Sequence, residues 1–201
     1  MATKALGKEL KNMQAVQAKA LGSGTLHELG WYVNFDEITN LFQWIVELHS
    51  FDPKLPLAQD MKKVGMTSLV LEMRFGKDYP MTPPFVRMIR PRFLPFIQGG
   101  GGHVTGGGAM CMELLTNDGW SPANSIESVL LQVRLALMNL EPKPARIQAV
   151  YDGSYKGGSV TSYSYRGGDY GVEEAITAFE RAARTHGWTV PKDLRLTAEG
   201  R

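Results

Sequence analysis

A single cysteine in 201 residues, Cys111, excludes an internal disulfide and suits a reducing compartment, so a cytosolic or nuclear protein is expected. Histidines are few and scattered, at 27, 49, 103 and 186, and with one cysteine they offer no closely spaced pair for a metal site. No apolar run approaches the ~20 residues of a membrane span. The opening Met1-Ala2-Thr3-Lys4 lacks the apolar core of a signal peptide. With 22 Lys plus Arg against 20 Asp plus Glu, the basic stripe of a nucleic-acid binder is missing. What remains is an ordinary globular composition, 43% apolar and 21% charged, over a length that suits one domain.

Glycine, by contrast, is concentrated. Seven of the 22 glycines fall within Gly99–Gly108, directly before Cys111. Such backbone takes φ values and close approaches that a Cβ forbids, so something is expected to come close to the thiol. A free cysteine is ordinarily buried core filling. Here the glycine loop and the nearby proline turns favour another role. The run contains a glycine pattern that cradles phosphates, but no Gly-Lys-Ser/Thr ending and no helix start follow it. A thiol nucleophile forming a covalent intermediate fits better, with His103 or His186 for proton transfer or polarisation.

Around this point the chain reads as helices flanking an antiparallel meander. Residues 4–20 form a moderately amphipathic helix ended by Gly22-Ser23-Gly24. Four strands follow: Trp31, Val33 and Phe35 share one face of the first; Phe42, Trp44, Val46 and Leu48 one face of the second. In the third, Leu69, Leu71, Met73 and Phe75 oppose Glu72 and Arg74, and the fourth runs from Phe85 to Arg90. Prolines 80, 83 and 84 impose an exposed, stiff loop between the last two. Asn124 with Glu127 reads as the cap of a helix whose apolar face is Ile126, Val129, Leu130, Val133, Leu137 and Leu140, stopped by Glu141-Pro142-Lys143-Pro144. Residues 151–171 lack periodicity and are expected to be a flexible surface insertion. A last helix over 172–186 ends at Gly187, and the spacing from Phe179 directs His186 inward.

The order of helix, meander, Tyr79-Pro80-Met81-Thr82-Pro83-Pro84, Cys111, Trp120-Ser121-Pro122-Ala123 and helix resembles the ubiquitin-conjugating enzyme family over residues 4–140. Gly106-Gly107-Gly108-Ala109-Met110-Cys111-Met112-Glu113-Leu114-Leu115-Thr116, Ser125-Ile126-Glu127-Ser128-Val129, Ala145-Arg146-Ile147-Gln148 and Gly187-Trp188 are similar to its Q-type branch. The resemblance implies an α+β ubiquitin-conjugating (UBC-like) fold and a single catalytic domain over residues 1–201. Cys111 would accept ubiquitin, or a relative, from the activating enzyme as a thioester and release it to an acceptor or ligase. No cofactor is expected on the chain itself; ATP is consumed by the activating enzyme.

In the usual pattern His-Pro-Asn precedes the cysteine, the Asn eight residues upstream organising the loop and donating to the oxyanion. That position is His103 here, and the motif is missing. Its imidazole N–H can replace the amide donor. His186 is similar to the Q-branch histidine on the last helix. Glu113 stands where an acidic residue orients the incoming lysine, or is a solvated carboxylate. Trp120 and Trp188 are expected to pack beside the site. Met81, Pro83 and Pro84 would present a ligase-facing surface with Ser121, Pro122 and Ala123, and the first helix, with Lys4, Lys8 and Lys11, would face the activating enzyme. Loss of the Asn leaves open a non-catalytic ubiquitin-binding scaffold; a thiol hydrolase is the third reading.

Overall fold

The structure, a computed structural model, describes residues 1–148, 150–151, 155–156, 159–160, 163–164 and 167–200. An Ala-, Lys- and Gln-rich stretch forms helix α1, Ala2–Ser23, which ends at Gly24 in the left-handed region, φ 71°. It buries Leu6, Met13, Gln17 and Ala20. A short helix α2, Leu26–Leu29, leads to strand β1, Trp31–Tyr32. Alternation predicts that Val33 and Phe35 continue that strand, but they do not. The buried Gln17 amide donates to the Val33 carbonyl at 2.9 Å and accepts from the Val33 N–H at 2.8 Å, replacing a neighbouring strand by a side chain, and Phe35–Glu37 turns into a 3₁₀ helix.

Strands β2, Gln43–His49, and β3, Ser68–Arg74, pair antiparallel with Val46 opposite Leu71. Trp44, Val46, Leu48, Leu69, Leu71 and Met73 are buried on the face that alternation assigns to the core. Phe42 lies just before β2, where its carbonyl accepts from Phe75 N–H. Strand β4, Phe85–Arg90, completes a four-stranded sheet in the order β1-β2-β3-β4. Helix α3, Pro56–Lys63, between β2 and β3 escaped the sequence reading, although Pro56 at its first turn and the Leu57/Met61 spacing signal it.

Helix α4, Ile126–Met138, is capped by Ser125, whose Oγ accepts from Ser128 N–H at 3.1 Å. The cap is therefore one residue later than the Asn124 of the sequence reading. The helix stops before Leu140, which is exposed instead of sharing the apolar face. Helix α5, Val172–His186, ends at left-handed Gly187, and α6, Leu194–Glu199, follows it. Of the stretch 151–171 expected to form a flexible surface insertion, residues 152–154, 157–158, 161–162 and 165–166 lie outside the described residues. Among the rest, Val150–Tyr151 pairs with Tyr163–Ser164 and Tyr155–Lys156 with Ser159–Val160. Tyr170 is buried with its N–H donating to the Ile89 carbonyl, so the end of the stretch is packed against the sheet instead of lying loose on the surface.

The C-terminal third changes the environment of the sheet's second face. Glu72, expected opposite the core in a half-solvated strand, is 1% exposed and accepts from Arg74 at 2.8 Å and Arg87 at 2.7 Å. Arg87 donates onward to the Tyr170 carbonyl at 2.7 Å. Phe85 meets Phe179 of α5 edge-on, 6.0 Å between ring centres. Four successive β4 residues, Phe85 to Met88, are buried, so that strand is covered on both faces.

A second polar tie holds the segment after α4. The nearly buried Asp60 of α3 accepts from Arg146 Nε at 2.6 Å, from Arg146 Nη2 at 3.0 Å and from Ile147 N–H at 3.2 Å. Removing the carboxylate leaves a backbone donor and a guanidinium without their acceptor. Because Arg146 keeps some water contact, the cost falls below that of a fully buried pair. Asp60→Ala is expected to lower stability by about 2 kcal/mol in urea denaturation, and Asp60→Asn by about half of that.

Candidate active site

The glycine run is a packing device for the chain's own backbone. A Cβ at Gly101 would lie 1.7 Å from the Lys143 carbonyl oxygen, and one at Gly107 would lie 2.1 Å from the Glu174 carbonyl oxygen of α5. Gly108, at φ 90°, passes under the Tyr170 ring, where a Cβ would come within 2.5 Å. The close approach expected beside the thiol is thus made by segments 143–145 and 170–178, and it seats them around the site.

His103 adopts the left-handed region at φ 59°, a conformation that costs a side-chain-bearing residue about 1 kcal/mol. Two hydrogen bonds with Cys111 offset it: Cys111 N–H donates to the His103 carbonyl at 2.7 Å, and His103 Nδ1 lies 3.1 Å from the Cys111 carbonyl. A carbonyl only accepts, so this contact assigns the proton of the neutral imidazole to Nδ1. Nε2 then carries the lone pair. With Nδ1–H donating to the Cys111 carbonyl, Nε2 has the capacity of a base in the neutral ring and that of a donor in the imidazolium.

Cys111 is half-buried in a cleft of about 510 Å³ lined, among others, by Phe96, Gly101, His103, Lys143 and His186. His186, expected to point inward, is exposed: as the last residue of α5 it sits past the packed part of the helix. Its ring stacks on Trp188, 4.4 Å between centres and 20° between planes. The segment behind Trp188 is tied down by Asn117 N–H to the Thr189 carbonyl at 2.8 Å and by Thr189 N–H to the Asp118 carboxylate. The fold therefore brings His103, Cys111 and His186 to one cleft.

Glu113 is not a cleft-lining residue. Instead of continuing a strand past the sulfur, it starts a 3₁₀ turn, Glu113–Leu115, whose carbonyl at 113 accepts from Thr116, and its side chain is exposed. Trp120 Nε1 donates to the Pro80 carbonyl at 2.7 Å and its ring leans on Tyr79, 6.3 Å between centres. That bond fixes the two expected contact loops to each other. Met81, 61% exposed, and Ser121, Pro122 and Ala123 all face solvent. Pro83 and Pro84 do not; they are buried as the chain turns into β4, so the loop offers Met81 and not its proline pair.

Burial pushes the Cys111 thiol above the ordinary thiol range, because desolvation disfavours the thiolate. Cys111 therefore rests as a protonated thiol, unlike thiols depressed by a neighbouring cation. Alkylation of Cys111 by iodoacetamide is expected to be slow at pH 7 and to keep rising through pH 9; a plateau below pH 8 would contradict this environment. Among the described residues, no group of three or more His, Cys, Asp and Glu can hold a metal ion, and no helix is long and apolar enough to cross a membrane.

Residues 66–155 match the family described as ubiquitin-conjugating enzyme. A Q-like ubiquitin-conjugating enzyme protein of Drosophila melanogaster is 31% identical over 191 residues, covering 94% of this chain and 53% of its own length. Ubiquitin-conjugating enzyme E2 25 of Caenorhabditis elegans is 44% identical over 103 residues, 49% of this chain and 25% of that protein. The ubiquitin-conjugating enzyme Q-like protein 1 of Mus musculus is 35% identical over 155 residues, 76% of this chain and 83% of that protein. The chain thus spans about half the length of the Drosophila relative and a quarter of the nematode one.

Proposed function

Because the chain belongs to the ubiquitin-conjugating enzyme family, in its Q branch, we propose that it carries ubiquitin as a thioester on Cys111 and passes it to an acceptor or a ligase. The observation that supports this most is the cleft itself, in which the chain's lone cysteine is open to solvent with His103 hydrogen-bonded to its backbone and His186 on the same lining.

The chemistry needs two acyl transfers. In loading, the Cys111 thiol attacks the C-terminal carbonyl of ubiquitin held as a thioester on an activating enzyme, which has consumed the ATP. The new C–S bond forms as the bond to the activating enzyme's sulfur breaks, and the proton lost from Sγ ends on that departing thiolate. Since burial holds the thiol protonated, a base is needed, and the Nε2 lone pair of His103 is a candidate supplied by the loop. In discharge, an acceptor amine or hydroxyl attacks the thioester carbon and Sγ departs. The same lone pair can take the proton from either acceptor, so serine or threonine is proposed beside lysine. His186, braced by Trp188, is proposed to assist from the cleft lining.

Partners are proposed on the same basis. The activating enzyme engages α1, with Lys4, Lys8 and Lys11. The ligase engages Met81 with Ser121, Pro122 and Ala123, held side by side by the Trp120–Pro80 bond. No cofactor is assigned to the chain, and neither nucleic acid nor membrane is proposed as a partner. A cytosolic or nuclear setting is proposed for these partners and for the free thiol.

The rival is a ubiquitin-binding scaffold on the same fold that never forms the adduct. Cys111→Ser separates the two. A carrier variant with serine at 111 accumulates a ubiquitin oxyester that withstands reducing agent; a scaffold gives no adduct with either residue.

A further inference from the structure

The cleft contains an amine. Lys143 is the only lysine among the described residues lining it. Its position relative to the sulfur is set by backbone. The Lys143 carbonyl is seated against Gly101, too close for any Cβ, and Gly101 stands two residues before His103, which is bound reciprocally to the Cys111 backbone. Only the four-carbon stem of Lys143 is free to move. Its ammonium is held at the rim of the same cleft, donating to the Phe96 carbonyl at 2.9 Å and lying over the Phe96 ring, 4.2 Å from the ring centre.

A protonated amine bound to a carbonyl and an aromatic face is no nucleophile. Released and deprotonated, the same amine lies within a cleft that holds the acyl-bearing sulfur.

We propose that Lys143 is a self-acceptor: when Cys111 is loaded, Lys143 takes the modifier in cis, as an isopeptide on the wall of the cleft. This rests on the thioester reading above. The Lys143 ammonium loses a proton to His103 Nε2 or to water, Nζ attacks the thioester carbonyl carbon, a C–N bond forms and the C–S bond breaks. The second amine proton is returned to the departing thiolate, so a free thiol and an amide result with no further reactant. Phe96 acts as the restraint. Its ring contributes the cation–π part of the hold, about 0.5–1 kcal/mol at such a partly exposed site, which corresponds to roughly 2- to 5-fold in rate.

The protein is loaded with ubiquitin by an activating enzyme and ATP, ATP is then removed, and the product that resists reducing agent is followed in time and mapped by peptide mass. The expected result is a ubiquitin remnant on Lys143. It should form at a rate independent of protein concentration over about a tenfold range and fall at least about tenfold in Lys143→Arg. That variant keeps a cation for the Phe96 contacts and so preserves the loop. Phe96→Ala, which retains the backbone carbonyl, should raise the rate roughly 2- to 5-fold. A Cys111 thioester that forms normally while the resistant product maps elsewhere overturns the inference and leaves the carrier reading standing. So does a product that is concentration-dependent or unchanged in Lys143→Arg. Failure to form any thioester overturns both.

Discussion

Replacing His103 by alanine should slow discharge of a Cys111 ubiquitin thioester by roughly 10²-fold, for both free lysine and free serine as acceptors. The size follows from what the side chain does in this geometry. Its Nδ1–H is committed to the Cys111 carbonyl at 3.1 Å, so the tautomer is set and Nε2 is the only group on the ring able to receive a proton. A positioned base of this kind contributes about 10² to 10⁴ in rate, and the lower end applies because His186 lines the same cleft. His103→Asn makes the reading sharp. Asparagine also tolerates the left-handed backbone at φ 59°, and its amide can donate to the same carbonyl, so loop structure survives while the base is lost. Discharge in His103→Asn should therefore stay near that of the alanine variant. Recovery to near wild-type rate would mean that His103 serves as a donor and loop tie, in the manner of the asparagine it replaces.

Gly101→Ala is expected to lower stability by roughly 3 kcal/mol in thermal or urea unfolding. The added carbon would meet the Lys143 carbonyl oxygen at 1.7 Å and its carbon at 2.6 Å. Both are backbone, so neither swings aside as a side chain would, and the loop carrying His103 must separate from the segment after α4. Loading of Cys111 should fall with stability, since the cleft is made by that contact. Gly106→Ala is the matched control: nothing lies within 4 Å of its would-be Cβ, and the change should stay within about 0.5 kcal/mol. Equal tolerance at both positions would contradict the packing role assigned to the glycine run.

How far these features are legible in the chain depends on how local their causes are. The core faces of β2 and β3 follow from alternation alone, and Trp44, Val46, Leu69 and Leu71 lie where period two puts them. Strand β1 stops at Tyr32 because Gln17, far back in α1, occupies the backbone of Val33, and no local pattern at residues 31–35 carries that information. Glu72 reads only as a residue opposite the apolar face of its strand; its burial comes from Arg87, which binds its carboxylate and is itself tied to the Tyr170 carbonyl of a distant segment. The helix cap at Ser125 instead of Asn124 is a one-residue offset between two good capping residues, decided by backbone geometry.

The site divides in the same way. Cys111 stands out as the lone thiol, and the resemblance to the family locates His103 eight residues upstream. The sign of His103's contribution depends on which nitrogen faces the Cys111 carbonyl, which only coordinates give. Helical spacing puts His186 on the apolar face, yet it ends α5 beyond the packed turns and reaches the cleft for that reason. Pro83 and Pro84 share their loop with exposed Met81, but the entry into β4 buries them. Lys143 gives no sequence signal as a cleft residue. Its counterpart does: a glycine at 101 is what a carbonyl in van der Waals contact requires.

The central claim is that Cys111 carries the modifier, and the loading assay tests it most directly. Folded protein is incubated with an activating enzyme, ubiquitin and ATP, and the product is separated with and without reducing agent. An ATP-dependent adduct of one ubiquitin on Cys111 that reducing agent removes is expected. Folded protein that forms no adduct with ubiquitin or any ubiquitin-like modifier would contradict it.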